Sequence, residues 1–178
     1  AAMKWGGPII GGDIASTNEN SQPLFTVTAF GTVPITAIER NTAQVGDVVY
    51  VTGQIGNSFE AHHLSFVPRI EEAKLLIDAI QINTMIDISD GLGQDASHLA
   101  MDKTQLVIDT TLIPLRSGAT LPEAISDGED YELLFTSSMK PPENLATAIG
   151  FVQQRDPNQP AVITTKGEDI SMCGWVHK

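Results

Sequence analysis

Cysteine, basic residues and long apolar runs are all scarce in this chain of 178 residues, and each shortage excludes a class of protein. The single cysteine, Cys173, cannot form an internal disulfide. Because 10 basic residues stand against 22 acidic ones, giving a formal charge of -12, sequence-independent binding of nucleic-acid phosphates is not expected. No apolar run is long enough to span a bilayer, and no basic-then-apolar leader opens the sequence. We therefore expect a soluble cytoplasmic protein that binds neither nucleic acid nor membrane.

The first residues, AAMKWGGPII, lack a methionine at position 1 and run at once into an apolar segment typical of a strand. We expect a fragment whose chain begins inside a fold. A domain boundary is predicted next to Pro34, where a long strand-like segment closes. Residues 1–35 are then the end of a truncated N-terminal domain, and residues 36–178 form a C-terminal domain of about the usual size.

Hydrophobic periodicity and turn residues predict an α+β domain. Helices and strands alternate irregularly, without a regular βαβ repeat, so we expect a mixed or antiparallel sheet with helices on one face. The helix over residues 68–80 is the most regular, because its apolar residues recur at the spacing of one helical face. Strands are predicted at 8–10, 24–34, 46–56, 84–89, 104–115, 130–138, 160–166 and 170–178, and helices at 68–80, 91–102, 121–126 and 141–150.

The stretch MIDISDGLG, residues 85–93, places two carboxylates and a hydroxyl where a buried strand leads into a helix. In a strand, Asp87 and Ser89 share a face, while Asp90 projects at the turn. A helix N-terminus offers unpaired N–H groups to phosphate, and carboxylates there would repel phosphate unless divalent cations lie between them. The pattern fits a Mg²⁺–phosphate site, or a simple N-cap formed by Ser89 or Asp90.

Two further acidic turns leave similar alternatives open. Gly12 and Asp13, in IIGGDIAST, form either an ordinary turn or a close approach of the backbone to a ligand. Four carboxylates crowd the start of the strand in DGEDYELLF, and they either are solvated at a sheet edge or bind cations. These four are Asp127, Glu129, Asp130 and Glu132.

Six motifs occur in one order over nearly the whole chain: GGD, a strand ending GTVP, VGDVVYVTGQIGNS, IDISDGL, GEDYELLF and a terminal GWVHK. This succession resembles the thiamine-monophosphate kinase family, of the superfamily that includes aminoimidazole ribonucleotide synthetase and selenophosphate synthetase. The resemblance implies the C-terminal domain of that synthetase-like fold, preceded by the last strands of an ATP- and metal-binding N-terminal domain. It also implies ATP-dependent phosphorylation of thiamine phosphate to thiamine diphosphate by a Mg²⁺-dependent homodimer.

The resemblance further implies which residues bind each ligand. No catalytic residue is assigned, because the acceptor phosphate is largely ionised at neutral pH and needs no strong general base. The difficulty lies in bringing two polyanions together, which Mg²⁺ on aspartates addresses by charge neutralisation. The implied contacts are Gly12, Asp13, Arg40 and Ser89 for ATP, Asp13, Asp87 and Asp90 for Mg²⁺, and Glu129 and Trp175 for thiamine phosphate.

Two magnesium-binding motifs of the family, one GDDAA-like and one TDT-like, have no counterpart in this sequence. We therefore expect this polypeptide alone to be inactive. Two other functions remain open, a related synthetase acting on another phosphate acceptor and a non-catalytic nucleotide-binding or scaffolding module. The adjacent His62 and His63 are expected at the surface, because neighbouring strand residues point to opposite sides and no ligand cluster accompanies them.

Overall fold

A computed structural model describes residues 8–11, 26–28, 30–32, 37–100 and 102–175. The chain divides into two units, Ala1–Ile35 and Thr36–Lys178. In the first unit, residues 8–11 form no strand, so the strand predicted there is wrong, and the described part of the strand predicted at 24–34 is also not in a sheet. That this unit is the remnant of an ATP- and metal-binding domain stays a prediction.

The described part of the second unit contains a six-stranded mixed sheet, which confirms the predicted α+β class. The sheet order is β2-β4-β1-β5-β3-β6. Adjacent strands are antiparallel except for β3 and β6, which are parallel. The strands are β1 (Val48–Val51), β2 (Thr84–Asp87), β3 (Thr104–Ile108), β4 (Leu133–Ser137), β5 (Thr147–Gln154) and β6 (Val162–Thr164).

Short helices lie between these strands. A capping box opens the last helix, because the Glu123 carboxylate accepts a hydrogen bond from the Thr120 N–H at 2.7 Å and the Thr120 hydroxyl accepts one from the Glu123 N–H. Among the described residues, no helix is both long and apolar enough to cross a bilayer. The helices are α1 (His62–Ser65), α2 (Ile70–Ala79), α3 (Leu92–Leu99) and α4 (Leu121–Ser126), with a 3-10 turn at Ser58–Glu60 before α1.

The helices cover both faces of the sheet, so the expectation of helices on one face is wrong. Val49 and Val51 point to the face on which α3 and α4 pack, in the larger apolar cluster. Tyr50, between them on β1, points to the other face, where it packs with Leu76 of α2. Because successive side chains of β1 point to opposite faces of the sheet, both faces are apolar. Each face is therefore covered by helices of its own.

The helix predicted at 141–150 is wrong, because residues 147–154 form β5, which pairs with both β1 and β3. Its buried residues Ile149 and Val152 are three apart, a spacing typical of a helix. The spacing arises from an irregularity in the pairing with β1, where the register shifts by one extra residue in β5. The closing strand predicted at 170–178 is also wrong in its described residues, 170–175.

Candidate ligand cavity and its acidic lining

The turn from β2 into α3 is capped by a buried carboxylate. Asp95 Oδ2 accepts hydrogen bonds from the N–H groups of Ser89 at 2.9 Å, Asp90 at 2.9 Å and Gly91 at 3.1 Å. Gly91 is the N-cap residue of α3 and has no side chain with which to cap it. The interpretation of Ser89 or Asp90 as the N-cap is therefore wrong.

The same bonds change what this helix N-terminus can bind. Burial raises the pKa of Asp95, and the negative charge of Asp90 adds to the rise, while the three N–H groups oppose both. Since Asp95 occupies the N–H groups of Ser89, Asp90 and Gly91, these three groups are not free for phosphate. Phosphate binding at the N-terminus of α3 stays a prediction.

The acidic segment before β4 is bonded to this turn through its backbone. The Glu129 N–H donates to the Ser89 carbonyl at 2.9 Å, and the Tyr131 N–H donates to the Ile88 carbonyl at 2.8 Å. Both donors have left-handed backbone angles, with φ of 66° at Glu129 and 51° at Tyr131. Gly128 permits the close approach, because a Cβ there would lie 2.3 Å from the Ser89 carbonyl oxygen. The approach places the Glu129 and Ser89 side chains on one cavity.

Two carboxylates of this segment are buried in ion pairs. Asp130 accepts from Arg116 Nη1 at 2.7 Å and from the Gly56 N–H at 3.1 Å. Glu132 accepts from Arg69 Nε at 2.7 Å and Nη2 at 2.6 Å. Burial raises the pKa of Asp130, against the lowering by Gly56 and Arg116. The two expected alternatives were solvation at a sheet edge and binding of free cations. Both are wrong for Asp130 and Glu132, because arginine side chains of the chain itself pair with them.

A cavity of about 200 Å³ lies where the β2–α3 turn meets the acidic segment. Four of the residues predicted to bind ligands line it, from three separate stretches of the sequence. The Trp175 N–H donates to the Asp90 carbonyl at 2.7 Å, which fixes the C-terminal stretch beside the turn. The lining residues are Phe59, Ser89, Asp90, Gly128, Glu129 and Trp175.

The Tyr131 hydroxyl links the exposed Asp87, at the end of β2, to this cavity. Burial, a hydrogen bond to Glu129 and the negative charges of Glu129, Asp87 and Asp90 raise the pKa of Tyr131 to about 12. The Tyr131 ring is held by stacking on Phe66, with a centroid distance of 4.1 Å. Three of the predicted acidic site residues therefore act on one hydroxyl.

Arg40 lies away from this group. The carbonyl of its neighbour Glu39 accepts a hydrogen bond from the Thr84 hydroxyl at 2.8 Å. Thr84 begins β2, whereas Asp87 ends it, so Arg40 is at the opposite end of that strand from the carboxylates. The structure does not bring Arg40 to the cavity, and its contact with ATP stays a prediction.

The donor types around the cavity suit Mg²⁺, which prefers carboxylate and other oxygen ligands. Asp87 and Asp90 are the candidate ligands among the described residues. However, no group of three or more His, Cys, Asp or Glu side chains in this part of the chain can hold a metal ion. Gly12 and Asp13 lie outside the described residues. The described residues therefore fit part of a Mg²⁺ site.

The adjacent histidines were expected at the surface, but both are half-buried. His62 Nε2 lies 3.0 Å from the Asp130 carbonyl oxygen, and His63 Nδ1 lies 3.0 Å from the Ser58 carbonyl oxygen. As N–H donors to carbonyls, the His62 ring bonds α1 to the acidic segment, and the His63 ring bonds α1 to the 3-10 turn.

Comparison with known proteins gives the cavity a context. No family model matches the chain. The chain is 31% identical over 199 residues to the thiamine-monophosphate kinase of Rhodopirellula baltica, covering 99% of this chain and 61% of the relative. It is 33% identical over 173 residues to the thiamine-monophosphate kinase of Buchnera aphidicola subsp. Schizaphis graminum, covering 79% and 51%. The chain is thus similar to a thiamine-monophosphate kinase over nearly its whole length. It spans about half to three-fifths of the length of these two relatives.

Solved structures of the thiamine-monophosphate kinase family share the fold. The enzyme from Aquifex aeolicus is 27% identical, with a TM-score of 0.59 over 74% of this chain and 54% of that chain. A structure of AaThiL complexed with AMPPCP and TMP is 29% identical, with a TM-score of 0.61 over 79% and 54%. The hydrogenase maturation protein HypE of E. coli, 15% identical with a TM-score of 0.50 over 72% and 48%, shares the fold alone.

Sequence reasoning missed four residues that shape this cavity. Arg69 and Arg116 could have been found from the need of two buried carboxylates for cationic partners. Asp95 could have been found as an acidic residue in the first turn of a helix whose N-cap is glycine. For Phe59 the sequence carries no signal, because its position depends on a short turn formed by tertiary contacts.

Proposed function

We propose that the protein transfers the γ-phosphoryl group of ATP to thiamine phosphate, giving thiamine diphosphate and ADP. The observation that carries this proposal is the convergence of Ser89, Asp90, Glu129 and Trp175 on one cavity. Similarity to thiamine-monophosphate kinases supports it, as does the similar structure complexed with AMPPCP and TMP. Because the chain spans only part of its relatives, the activity is proposed for the whole protein.

Each residue has a proposed role toward the two substrates. Trp175 contacts the heterocycle of thiamine phosphate, and Glu129 contacts the same substrate through its carboxylate. Ser89 donates its hydroxyl to the nucleotide. Asp87 and Asp90 would hold Mg²⁺, which when bound neutralises phosphate oxygens and so lets two polyanions approach each other. Gly12 and Asp13 complete the nucleotide and metal contacts in this proposal.

The proposed reaction needs positioning more than proton transfer. The acceptor oxygen belongs to a phosphate that is already ionised at neutral pH, so the cavity does not require a general base. What the residues of this chain supply is a fixed place for the acceptor, because the segments that carry Asp90 and Glu129 are joined by backbone hydrogen bonds. A homodimeric state and a cytoplasmic location complete the proposal for the whole protein.

A binding titration tests the nucleotide part of the proposal. We expect the purified chain to bind AMPPCP in a Mg²⁺-dependent manner, measured by isothermal titration calorimetry. Replacing Asp87 with asparagine should weaken this binding by about 10-fold, since one charged oxygen ligand is lost. Asp78→Asn is the matched control, because Asp78 is also exposed and the change in net charge is the same.

The same purified chain tests the activity. We expect no thiamine diphosphate from ATP, Mg²⁺ and thiamine phosphate, because two magnesium-binding motifs that the resemblance implies have no counterpart in this sequence. Formation of thiamine diphosphate by the 178-residue chain would contradict this expectation. An acceptor series that includes ribonucleotide phosphates would separate the kinase from a related synthetase acting on another acceptor.

The lack of two magnesium-binding motifs in this sequence also favours a second candidate, a non-catalytic nucleotide-binding or scaffolding module. The two proposals differ in the AMPPCP titration. Mg²⁺-dependent binding that Asp87→Asn weakens supports a kinase-type site. Binding of neither nucleotide nor thiamine phosphate by the chain would favour a scaffold instead.

A further inference from the structure

The lining of the cavity is better suited to an organic cation than to a phosphate. Two carboxylates, Asp90 and Glu129, and two aromatic rings, Phe59 and Trp175, face it, and no basic side chain is among the lining residues within the described part of the chain. Carboxylates repel phosphate and attract cations, and the faces of aromatic rings also attract cations. The ligand that this lining recognises is therefore planar and positively charged.

Phe59 and Trp175 together form an aromatic wall, the name used below for these two rings. Their centroids are 6.5 Å apart with an interplanar angle of 48°, within the range of interacting aromatic pairs. Because the two rings contact each other, no ligand ring can insert between them. They remain 49% and 55% exposed, so a ligand ring can lie against them from the cavity side.

The Phe59 half of the aromatic wall is fixed before any ligand binds. The hydroxyl of its neighbour Ser58 donates a hydrogen bond to the Gly128 carbonyl. The ring of His63, held by the Ser58 carbonyl at 3.0 Å, lies with its centroid 5.8 Å from that of Phe59. These contacts tie Phe59 to the segment that carries Glu129.

The Trp175 half is fixed to the other acidic segment. Its N–H donates to the Asp90 carbonyl at 2.7 Å. Gly174 permits this approach, because a Cβ there would lie 2.7 Å from the same carbonyl oxygen. The backbone of Trp175 and the neighbour of Phe59 are therefore each bonded to a segment that carries one cavity carboxylate, which places both rings beside these segments.

We propose that Phe59 determines acceptor specificity in this cavity, because it forms with Trp175 the surface on which a planar cationic ring lies while Glu129 offsets its charge. The inference rests on the proposed function, in which the thiazolium ring of thiamine phosphate is such a cation. It adds Phe59, which the family resemblance did not supply, and it places the ring end of the acceptor against the aromatic wall.

The test uses thiamine, which carries the cationic ring and no phosphate, titrated calorimetrically into the purified chain in buffer with EDTA. Phe59→Leu should raise the Kd by about 5- to 10-fold, because an aliphatic side chain of similar bulk lacks the aromatic face. Phe59→Tyr should keep the wild-type affinity. The matched control is Phe151→Leu on β5, since Phe151 is 46% exposed and is not among the lining residues, and it should change the Kd by less than about 2-fold.

A second ligand tests the charge. The neutral 4-methyl-5-(2-hydroxyethyl)thiazole has a similar ring without the positive charge, and it should bind about 10-fold or more weakly than thiamine. Equal affinity of wild type and Phe59→Leu for thiamine would overturn the inference. So would failure of the wild-type chain to bind thiamine, or equal affinity for the neutral thiazole.

Repeating the Mg²⁺-dependent AMPPCP titration on the same variants distinguishes a failure of this inference from a failure of the proposed function. Phe59→Leu should leave AMPPCP binding unchanged, which also shows that the variant is folded. If the chain binds AMPPCP but its affinity for thiamine is the same in wild type and Phe59→Leu, the inference alone is rejected. Absence of AMPPCP binding together with a Phe59-dependent thiamine affinity would reject the kinase proposal and keep the aromatic wall as an organic-cation site.

Discussion

Carboxylates only a few residues apart in the segment before β4 have opposite environments. Asp130 and Glu132 are 0% and 2% exposed, and each is paired with one arginine. Glu129 lines a cavity together with Asp90, and no basic side chain is among the lining residues that the structure describes. The comparison teaches that pairing with arginine, and not acidity alone, distinguishes Asp130 and Glu132, which build this segment, from Glu129, which faces the cavity.

The buried pairs and the cavity carboxylates depend on each other. Glu129 and Tyr131 adopt left-handed backbone angles, which cost of order 1 kcal/mol or more at a residue other than glycine. Such angles persist only where surrounding contacts determine them. Asp130, between these two residues, supplies such a contact through Arg116 and the Gly56 N–H.

The largest effect should come from breaking one of the buried pairs. Arg116→Met leaves the Asp130 carboxylate buried without its cation, and we expect the free energy of unfolding to fall by about 3 kcal/mol, measured in urea. Lys74→Met is the control, because Lys74 pairs with Glu71 at the surface with both side chains exposed. It should cost less than about 0.5 kcal/mol. A loss below about 1 kcal/mol in Arg116→Met would show that the buried pair does not support the segment.

A smaller loss is expected at the β2–α3 turn. Asp95→Ala leaves the N–H groups of Ser89, Asp90 and Gly91 without their acceptor, and unfolding should become easier by about 2 kcal/mol. Asp95→Asn keeps one acceptor oxygen and should recover about half of that loss. Equal stability of the alanine variant and the wild type would mean that water replaces the carboxylate without cost.

The smallest expected effect concerns one proton. The pKa of Tyr131 is raised to about 12 from a usual value of 10.0, so the folded state retains the phenol proton where the unfolded chain loses it. This contribution to stability is complete below pH 10 and is lost as the pH rises towards 12. Absorbance titration of phenolate in the wild type minus that in Tyr131→Phe isolates Tyr131 from Tyr50. A difference titration with a midpoint near 10 would show that the three carboxylates do not act on this hydroxyl.

Sequence periodicity was sufficient to predict some of the helices and strands. The apolar face predicted in residues 68–80 became α2, and the strand predicted at 84–89 became β2. It failed for β5, because one extra residue opposite β1 shifts the register and gives buried positions the spacing of a helix. A carbon at Gly150 would lie 2.1 Å from the Val107 carbonyl oxygen, a tertiary contact that no local pattern reports.

The candidate cavity was predictable in part for a similar reason. The motif resemblance selected Ser89, Asp90, Glu129 and Trp175, which the fold brings to one cavity. In the acidic segment, Asp130 and Glu132 lie four and two residues before the buried Leu134, an alternation that predicts burial of both carboxylates. Which arginines meet them depends on long-range packing, since Arg116 and Arg69 are 14 and 63 residues away in sequence.

The left-handed angles at Glu129 and Tyr131 carry a consequence for how sequences of this kind can change over time. Glycine adopts these angles without strain, so glycine at either position would stabilise the fold. Selection for stability alone would therefore favour loss of these side chains. A chain that keeps Glu129 accepts a less stable fold in return for a carboxylate in the cavity. Among related proteins, we therefore expect those with glutamate at this position to bind a ligand in the cavity. Those with glycine there should have kept only the fold.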